Sequence, residues 1–396
     1  MAHERDALIT GIGLVSCLGS GVEAHWHALN NPTGFAPVLD TESFAPLAVH
    51  PMASLDLDTQ IPKRGDQRQM EAWQRIGVFA AGLALESAAA KGNTALLSQA
   101  DLIVAAGGGE RDYAVDVAIL TGCSKAPNPD AYLNEHLQGD LRPTLFLAQL
   151  SNLLAGNISI VHGVTGSSRT FMGEESSGAD AVRIACARIA GGQAEITLVG
   201  GSYNAQRPDV LLHYEMGGLL RRAPFAGVWS RQDSGGGMLL GSVGAFLVIE
   251  SRARAKARGA APFAHIAAIR SDRCRRDPGQ ATANARAQFE AMASHYDPAG
   301  AAVISGASGV APVTVEEQAF LTSLDRPVRA TATAIGHSLE PSFLASLALA
   351  AISVQRGTLF APLEAAEQTM TAPLTQALVT SWGHWRGEAL ALVTAP

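Results

Sequence analysis

Glu174-Glu175-Ser176-Ser177 sets two carboxylates and two hydroxyls directly ahead of an apolar-periodic run, Ala179, Val182, Ile184, Ala185 and Ile189. The small residues, the acidic start and Gly191-Gly192 just past the end predict a helix from about Ser177 to Ala190. A tight loop feeding a buried helix N-terminus aims backbone N–H groups and the positive end of the helix dipole at one spot. The residue at that spot is Glu175, whose carboxylate is therefore electrostatically special. Acidic residues in a first turn are also ordinary helix caps, so a purely structural role stands beside any chemical one.

Other arrangements offer less. Gly11 and Gly13 begin like a dinucleotide fingerprint, but the third glycine is missing from its place and no helix opens there. His25 and His27 are two apart on a predicted helix and face different ways, and no cysteine or carboxylate pattern suggests zinc. There is no G-x-S-x-G elbow and no phosphate-binding loop. Neither a metal nor a cofactor is expected.

The elements that must position Glu175 alternate between short buried strands and helices. Ile196 to Val199 is a strand closed by Gly200-Gly201, and Gly244 to Glu250 has the continuous apolar pattern of a sheet interior. Further strands are expected at Ala7 to Thr10, Leu102 to Ala106, Phe263 to Ser271, Ala301 to Ile304, Ala377 to Ser381 and Ala389 to Thr394. Helices are expected at Val22 to Asn30, Gln67 to Lys91, Leu145 to Leu154, Gln280 to Ser294, Val315 to Leu324 and Glu340 to Gln355, with a loop-rich region from Ala205 to Gly241. The result is an α/β protein with both sheet faces covered. At 396 residues, two similar halves are a natural expectation, residues 1–250 and 251–396.

With 47% hydrophobic residues, 16% charged residues and 40 glycines, the chain can bury a large core with many tight turns. A net charge of −7 without a basic run argues against general nucleic-acid binding. No basic and apolar leader opens the chain, and no apolar stretch reaches the roughly 18 residues of a membrane span. The scattered Cys17, Cys123, Cys186 and Cys274 fit reduced thiols in a cytoplasmic protein.

Taken in order, these pieces resemble the β-ketoacyl-acyl-carrier-protein synthases of the thiolase fold. The resemblance rests on ITGIGLVSCLGSGVEAHWHAL at the start, on the strand after the Glu175 helix, on APFAGVWSRQDSGGGMLLGSVGAFLVIESRARAKARGA, and on ATAIGHSLEPSFLASLALAAISVQRG. It implies five layers built from two pseudo-repeated halves, and a dimer with its pocket near the interface. Active relatives use a cysteine at this helix N-terminus, supported by two histidines and a lysine. Here the cysteine position falls on Glu175, the first histidine on or beside Gly306 and the lysine on Ala332, while the second histidine survives as His337. The gate loop becomes Trp382-Gly383-His384-Trp385.

The pattern is most similar to the chain length factors, the ketosynthase beta subunits of type II polyketide synthases, which carry an EQAGGLDA motif. Glu174, Gly178, Asp180 and Ala181 match it, and Glu175 stands where glutamine is usual. A chain length factor pairs with an active ketosynthase, shares its acyl carrier protein and closes an acyl tunnel, which would set polyketide or polyene chain length. By that analogy the segment Thr121 to Phe146 lies at the tunnel, with Tyr132, Leu133 and Phe146 as stop candidates and Glu174 and His384 lining it. Arg64, Arg68, Arg221 and Arg222 are candidates for docking an acidic carrier protein. Glu175 would cap its helix or bond a group near His337. Two alternatives stay open: a malonyl decarboxylase or condensing enzyme using Glu175 as base, and a homodimeric acyl-binding protein.

Overall fold

The computed structural model describes residues 3–31, 33–140 and 147–396. Its main sheet is built from ten strands in series: β1 (Ala7–Ser16), β2 (Asp101–Ala105), β3 (Ser168–Phe171), β4 (Ile196–Tyr203), β5 (Val243–Ser251), β6 (Ala264–Asp272), β7 (Ala301–Ser305), β8 (Val328–Ala330), β9 (Gln376–Trp382) and β10 (Glu388–Thr394). The spatial order is β8-β7-β9-β10-β6-β1-β5-β4-β2-β3. The first five strands therefore run β3-β2-β4-β5-β1 and the last five β8-β7-β9-β10-β6, the same permutation twice. Even the senses agree: β2 is parallel to β3 and β4, β7 is parallel to β8 and β9, and the other contacts in each set are antiparallel. Among the described residues the sets are joined by two register pairs, Leu8 with His265 and Ile9 with Ala264.

Two helices fill the space between the sets. Glu175–Ala190 and Ser342–Arg356 contribute Ala179, Val182, Ala185, Phe343, Leu347 and Ile352 to one core that also takes Ile9, Val199 and Leu247 from one set and Ala302, Val379 and Ala391 from the other. Ser342–Arg356 is buried on every side from Ser342 to Val354, as its Ala/Leu-rich sequence requires of a helix held between two sheets. Ala72–Ser87 and Leu153–His162 cover one outer face. Gln280–Glu290 and Val313–Leu324 cover the other, giving helix, sheet, helix, sheet, helix.

Several sequence expectations change. β1 runs straight through Gly11 and Gly13 to Ser16. A Cβ at these glycines would lie 2.3 Å from the Ala84 carbonyl and 1.9 Å from that of Ala80, so the glycines let the strand approach the helix above it. The expected helix Gln67–Lys91 is broken into Arg64–Gln69 and Ala72–Ser87, because Met70 is extended and Glu71 with Gln74 forms a capping box for the second segment. Where one helix Leu145–Leu154 was expected, Leu147 and Ala148 are helical, the chain turns, and Leu153–His162 follows; Leu145 and Phe146 lie outside the described residues. The loop-rich region holds a helix, Pro208–Met216, opened by its proline. The segment from Thr121, described as far as residue 140, is largely helical: Asp112 caps Tyr113–Cys123 and Asn128 caps Pro129–Gly139. Among the described residues no helix is long and apolar enough to cross a membrane.

Candidate functional site

Glu175 is the first residue of its helix, with Glu174 at the N-cap, and is almost wholly buried at 1% exposure. Two later segments converge on its carboxylate. His337 follows Gly336 in the turn between the short helix Thr331–Ile335 and Ser342–Arg356. Gly336 has a φ of 73°, and a Cβ there would sit 2.6 Å from the Gly241 Cα. A side chain at this position would meet both a strained backbone and no space. His384 follows β9, in the turn that leads to β10.

One oxygen, Glu175 Oε1, accepts three hydrogen bonds. They come from His337 Nε2 at 2.9 Å, His384 Nδ1 at 2.8 Å and the His384 backbone N–H at 3.1 Å. Burial pushes the Glu175 carboxyl toward its neutral form, but His384 and His337 outweigh it and hold the group well below the usual carboxylate range. Burial likewise disfavours a charged His384, and the Glu175 carboxylate overcomes it to raise the imidazole above its ordinary value. The site is a buried imidazolium–carboxylate pair with a second histidine attached. It is not a side-chain cap: Glu175 bonds the histidines rather than the N–H groups of its own helix.

The donor atoms of Glu175, His337 and His384 lie within 4.8 Å of one another, a composition that could also hold a divalent metal. The hydrogen bonding fits a metal poorly. Both rings converge on a single oxygen, and the buried His337 Nδ1 has no partner, whereas a metal-bound histidine usually donates its second ring N–H to a carbonyl or carboxylate.

The remaining candidates lie as follows. Gly306 is buried at the end of β7 and donates its N–H to the Thr380 carbonyl; a Cβ there would be 3.2 Å from that oxygen. Ala332 packs in the apolar cluster of Trp382, Val303 and Leu378, so a methyl fills the space. Glu174 is half-buried, and its carbonyl accepts from the Ser177 N–H and hydroxyl. Tyr132 lies in Pro129–Gly139, stacks on His136 at 4.0 Å and packs over Gly122. Leu133 is 37% exposed, and Phe146 lies outside the described residues. Neither Tyr132 nor Leu133 is brought to Glu175. Of the docking arginines, Arg64, Arg68 and Arg222 are exposed, but Arg221 is buried and bonds Pro224 O, Gly236 O and Ser234 Oγ, so it organises a loop.

Sequence reasoning missed the neighbours of this triad. Tyr214 sets its ring edge-on to His384 at 5.7 Å and lines a cavity of about 280 Å³ with Tyr203, Leu339 and Glu340. Glu340 was hidden as the expected first residue of the last long helix. The helix begins at Ser342, leaving Glu340 in the preceding turn with its side chain facing Gly107. An acidic residue directly ahead of an all-apolar helix was the available signal.

Comparison with known proteins places this geometry. The beta-ketoacyl synthase N-terminal domain model matches residues 4–255. The chain belongs to the beta-ketoacyl synthase family. It is 23% identical over 271 residues to 3-oxoacyl-[acyl-carrier-protein] synthase 2 of Vibrio cholerae and 24% identical over 269 residues to that of Vibrio harveyi. Each match spans 66% of this chain and 62% of the relative. Among solved structures, a beta-ketoacyl synthase from Burkholderia phymatum STM815 superposes with a TM-score of 0.79 at 17% identity, covering 99% of this chain and 100% of that one. The ishigamide ketosynthase/chain length factor gives 0.76 at 17%, covering 99% of both chains. A type II PKS acyl-carrier protein in complex with its ketosynthase bound to the hexaketide gives 0.75 at 16%, again covering 99% of both. These structural likenesses establish the thiolase-like ketosynthase fold.

Proposed function

We propose that this chain is a catalytically degenerate ketosynthase homologue that acts as a chain length factor, pairing with an active ketosynthase and shaping the acyl tunnel that the two share. The observation that carries the reading is the state of Glu175. At the position where the family resemblance expects a nucleophilic cysteine, the chain has an ionised carboxylate saturated at one oxygen by three donors. Such a group forms no acyl thioester, and it repels a malonyl carboxylate at short range. The absence of histidine at Gly306 and of lysine at Ala332 points the same way. A base role for Glu175 is disfavoured because its anion is stabilised, which weakens it as a proton acceptor.

A partner of the same fold is supported by the outer strand. β3 closes one end of the sheet with half-exposed to exposed residues and, among the described residues, no strand beyond it. Around that end are exposed apolar side chains: Ile160 at 72% and Met172 at 67%. An open edge flanked by apolar surface favours association. The ketosynthase/chain length factor named among the structural neighbours motivates a heterodimer, and the complex with an acyl-carrier protein motivates that second partner.

The experiment is co-expression with an active type II ketosynthase, followed by native mass measurement. The expected result is a one-to-one complex whose condensing activity disappears when the partner's cysteine is replaced and persists in Glu175→Gln. A homodimer that ignores the ketosynthase and releases carbon dioxide from malonyl-carrier protein would overturn the reading.

A further inference from the structure

The turn between β9 and β10 lies directly on the Glu175 site, and its contacts show what holds it there. The hairpin ladder runs as far as Trp382 with Glu388, and the Gly383 N–H donates to the Gly387 carbonyl at 2.8 Å. His384, Trp385 and Arg386 form the tip. A Cβ at Gly383 would lie 3.1 Å from Glu175 Oε2, and one at Gly387 would lie 2.7 Å from the Ser176 Cβ. The two glycines thus let the turn settle on the first residues of the helix that Glu175 begins. Beneath it, Glu175 and His337 are almost wholly shielded from solvent.

Apolar burial does not hold the tip closed. Its largest side chain, Trp385, is 66% exposed, and Arg386 is exposed as well. Closure rests on polar contacts at two points. At the tip, His384 gives both its ring and its backbone N–H to Glu175 Oε1, with 4% of its side chain exposed. At the base, Arg276 donates to the Gly383 carbonyl at 2.5 Å and pairs with the buried Glu388. Bonds to a charged group are the strong ones, yet water replaces them once the tip swings outward. A short segment fastened by a few polar contacts, without an apolar anchor, opens more readily than the strands on either side of it.

We infer that residues 383–387 form a latch: His384 fastens the turn over Glu175, Arg276 anchors its base, and release of the tip is what opens the buried site to solvent. Glu175 is then a positioning residue, which receives the fastening. It stands where the family resemblance expects a cysteine, so the fastening is particular to this chain. The latch goes beyond the pairing proposed above and is independent of it, since every contact in it lies within one chain.

The test is hydrogen exchange of the purified full chain, read by mass spectrometry at the backbone amide of position 384 and corrected for intrinsic rates. His384→Leu should raise that exchange by at least about tenfold, the effect of losing a bond to a charged group. His384→Gln, whose side-chain N–H can still reach Glu175, should restore most of the protection. Arg276→Gln leaves the triad intact and should raise exchange at the same amide from the other end of the turn. Peptides covering Leu153–His162 should keep their rate in all three variants. Modification of His337 by diethyl pyrocarbonate is the second readout: slow in the wild type, and at least about tenfold faster in His384→Leu, because the same opening exposes the ring. A wild-type amide that exchanges at the free-peptide rate, variants that leave it unchanged, or an equal rise in Leu153–His162 overturns the latch. Pairing with a ketosynthase is read separately by native mass and stands or falls apart from these results.

Discussion

Glu175 and Glu340 are neighbouring glutamates buried to nearly the same degree, and their environments drive them to opposite charge states. The helix that Glu175 begins packs directly on the turn that holds Glu340: a Cβ at Gly178 would lie 2.3 Å from the Glu340 carbonyl. Glu175 meets two imidazoles and a backbone N–H and stays ionised. Glu340 faces the negative charge of Glu175, and burial outweighs the nearby Arg207 guanidinium, so it stays protonated up to about pH 8. Burial pushes both carboxyls toward the neutral form, and only Glu175 has partners that reverse it.

The largest test of that contrast is Glu175→Ala. Breaking a buried pair by removing one member costs about 3–5 kcal/mol, measurable by denaturant unfolding. The pH dependence fixes the cause. Glu175 is depressed from 4.5, so its contribution is complete above that value and is lost as pH falls through its folded pKa. His384 is raised from 6.5, so its contribution is complete below that value and is lost as pH rises through its folded pKa. The difference between wild type and variant should therefore peak between pH 4.5 and 6.5 and shrink on both sides. A flat difference would mean that the alanine acts only by leaving a void. Glu340→Gln should do the reverse and stabilise. The folded pKa of Glu340 is about 8 against 4.5 unfolded, so the native state holds its proton where the unfolded chain has lost it. Stability then falls with rising pH across that interval, by up to about 1.4 kcal/mol per pH unit. An amide cannot ionise, so the advantage of the variant should grow from pH 5 to pH 8. A constant offset would show that Glu340 is ionised throughout.

The contrast also marks where sequence reasoning stops. The Glu175 helix, the strands flanking it and the survival of His337 were legible, because apolar period, glycine punctuation and motif order are local properties. The five-layer arrangement was legible only through the resemblance, and the strand order was not read at all. The pairing of Glu175 with His384 was not, since the two stand 209 residues apart and meet only when β9 and β10 dock beside the central helix. Glu340 was misread because helix propensity continues smoothly through it, while Pro341 at the N-cap delays the helix to Ser342. The two helices between residues 113 and 139 escaped for another reason. Tyr113, Val117 and Leu120 are exposed while Ile119 is buried, so no apolar stripe of one period marks a core face.

The smallest expected effect concerns metal. Glu175, His337 and His384 have the composition of a two-histidine, one-carboxylate site, and zinc is the ion that would most readily exploit it. Binding would require the Glu175-facing ring nitrogens of His337 and His384 to leave Oε1 for the ion, and the buried His337 Nδ1 has no partner to orient the ring as a ligand. It would also deprotonate His384, which the carboxylate holds in its charged form. Excess zinc, or chelator applied to protein as purified, should therefore shift the melting temperature by less than about 1 °C, where a site filled to 100 times its Kd would add about 2.7 kcal/mol. A zinc-dependent rise of several degrees that vanishes in Glu175→Gln would show the triad to be a ligand set. Glu175 would then differ from Glu340 in what it holds as well as in its charge.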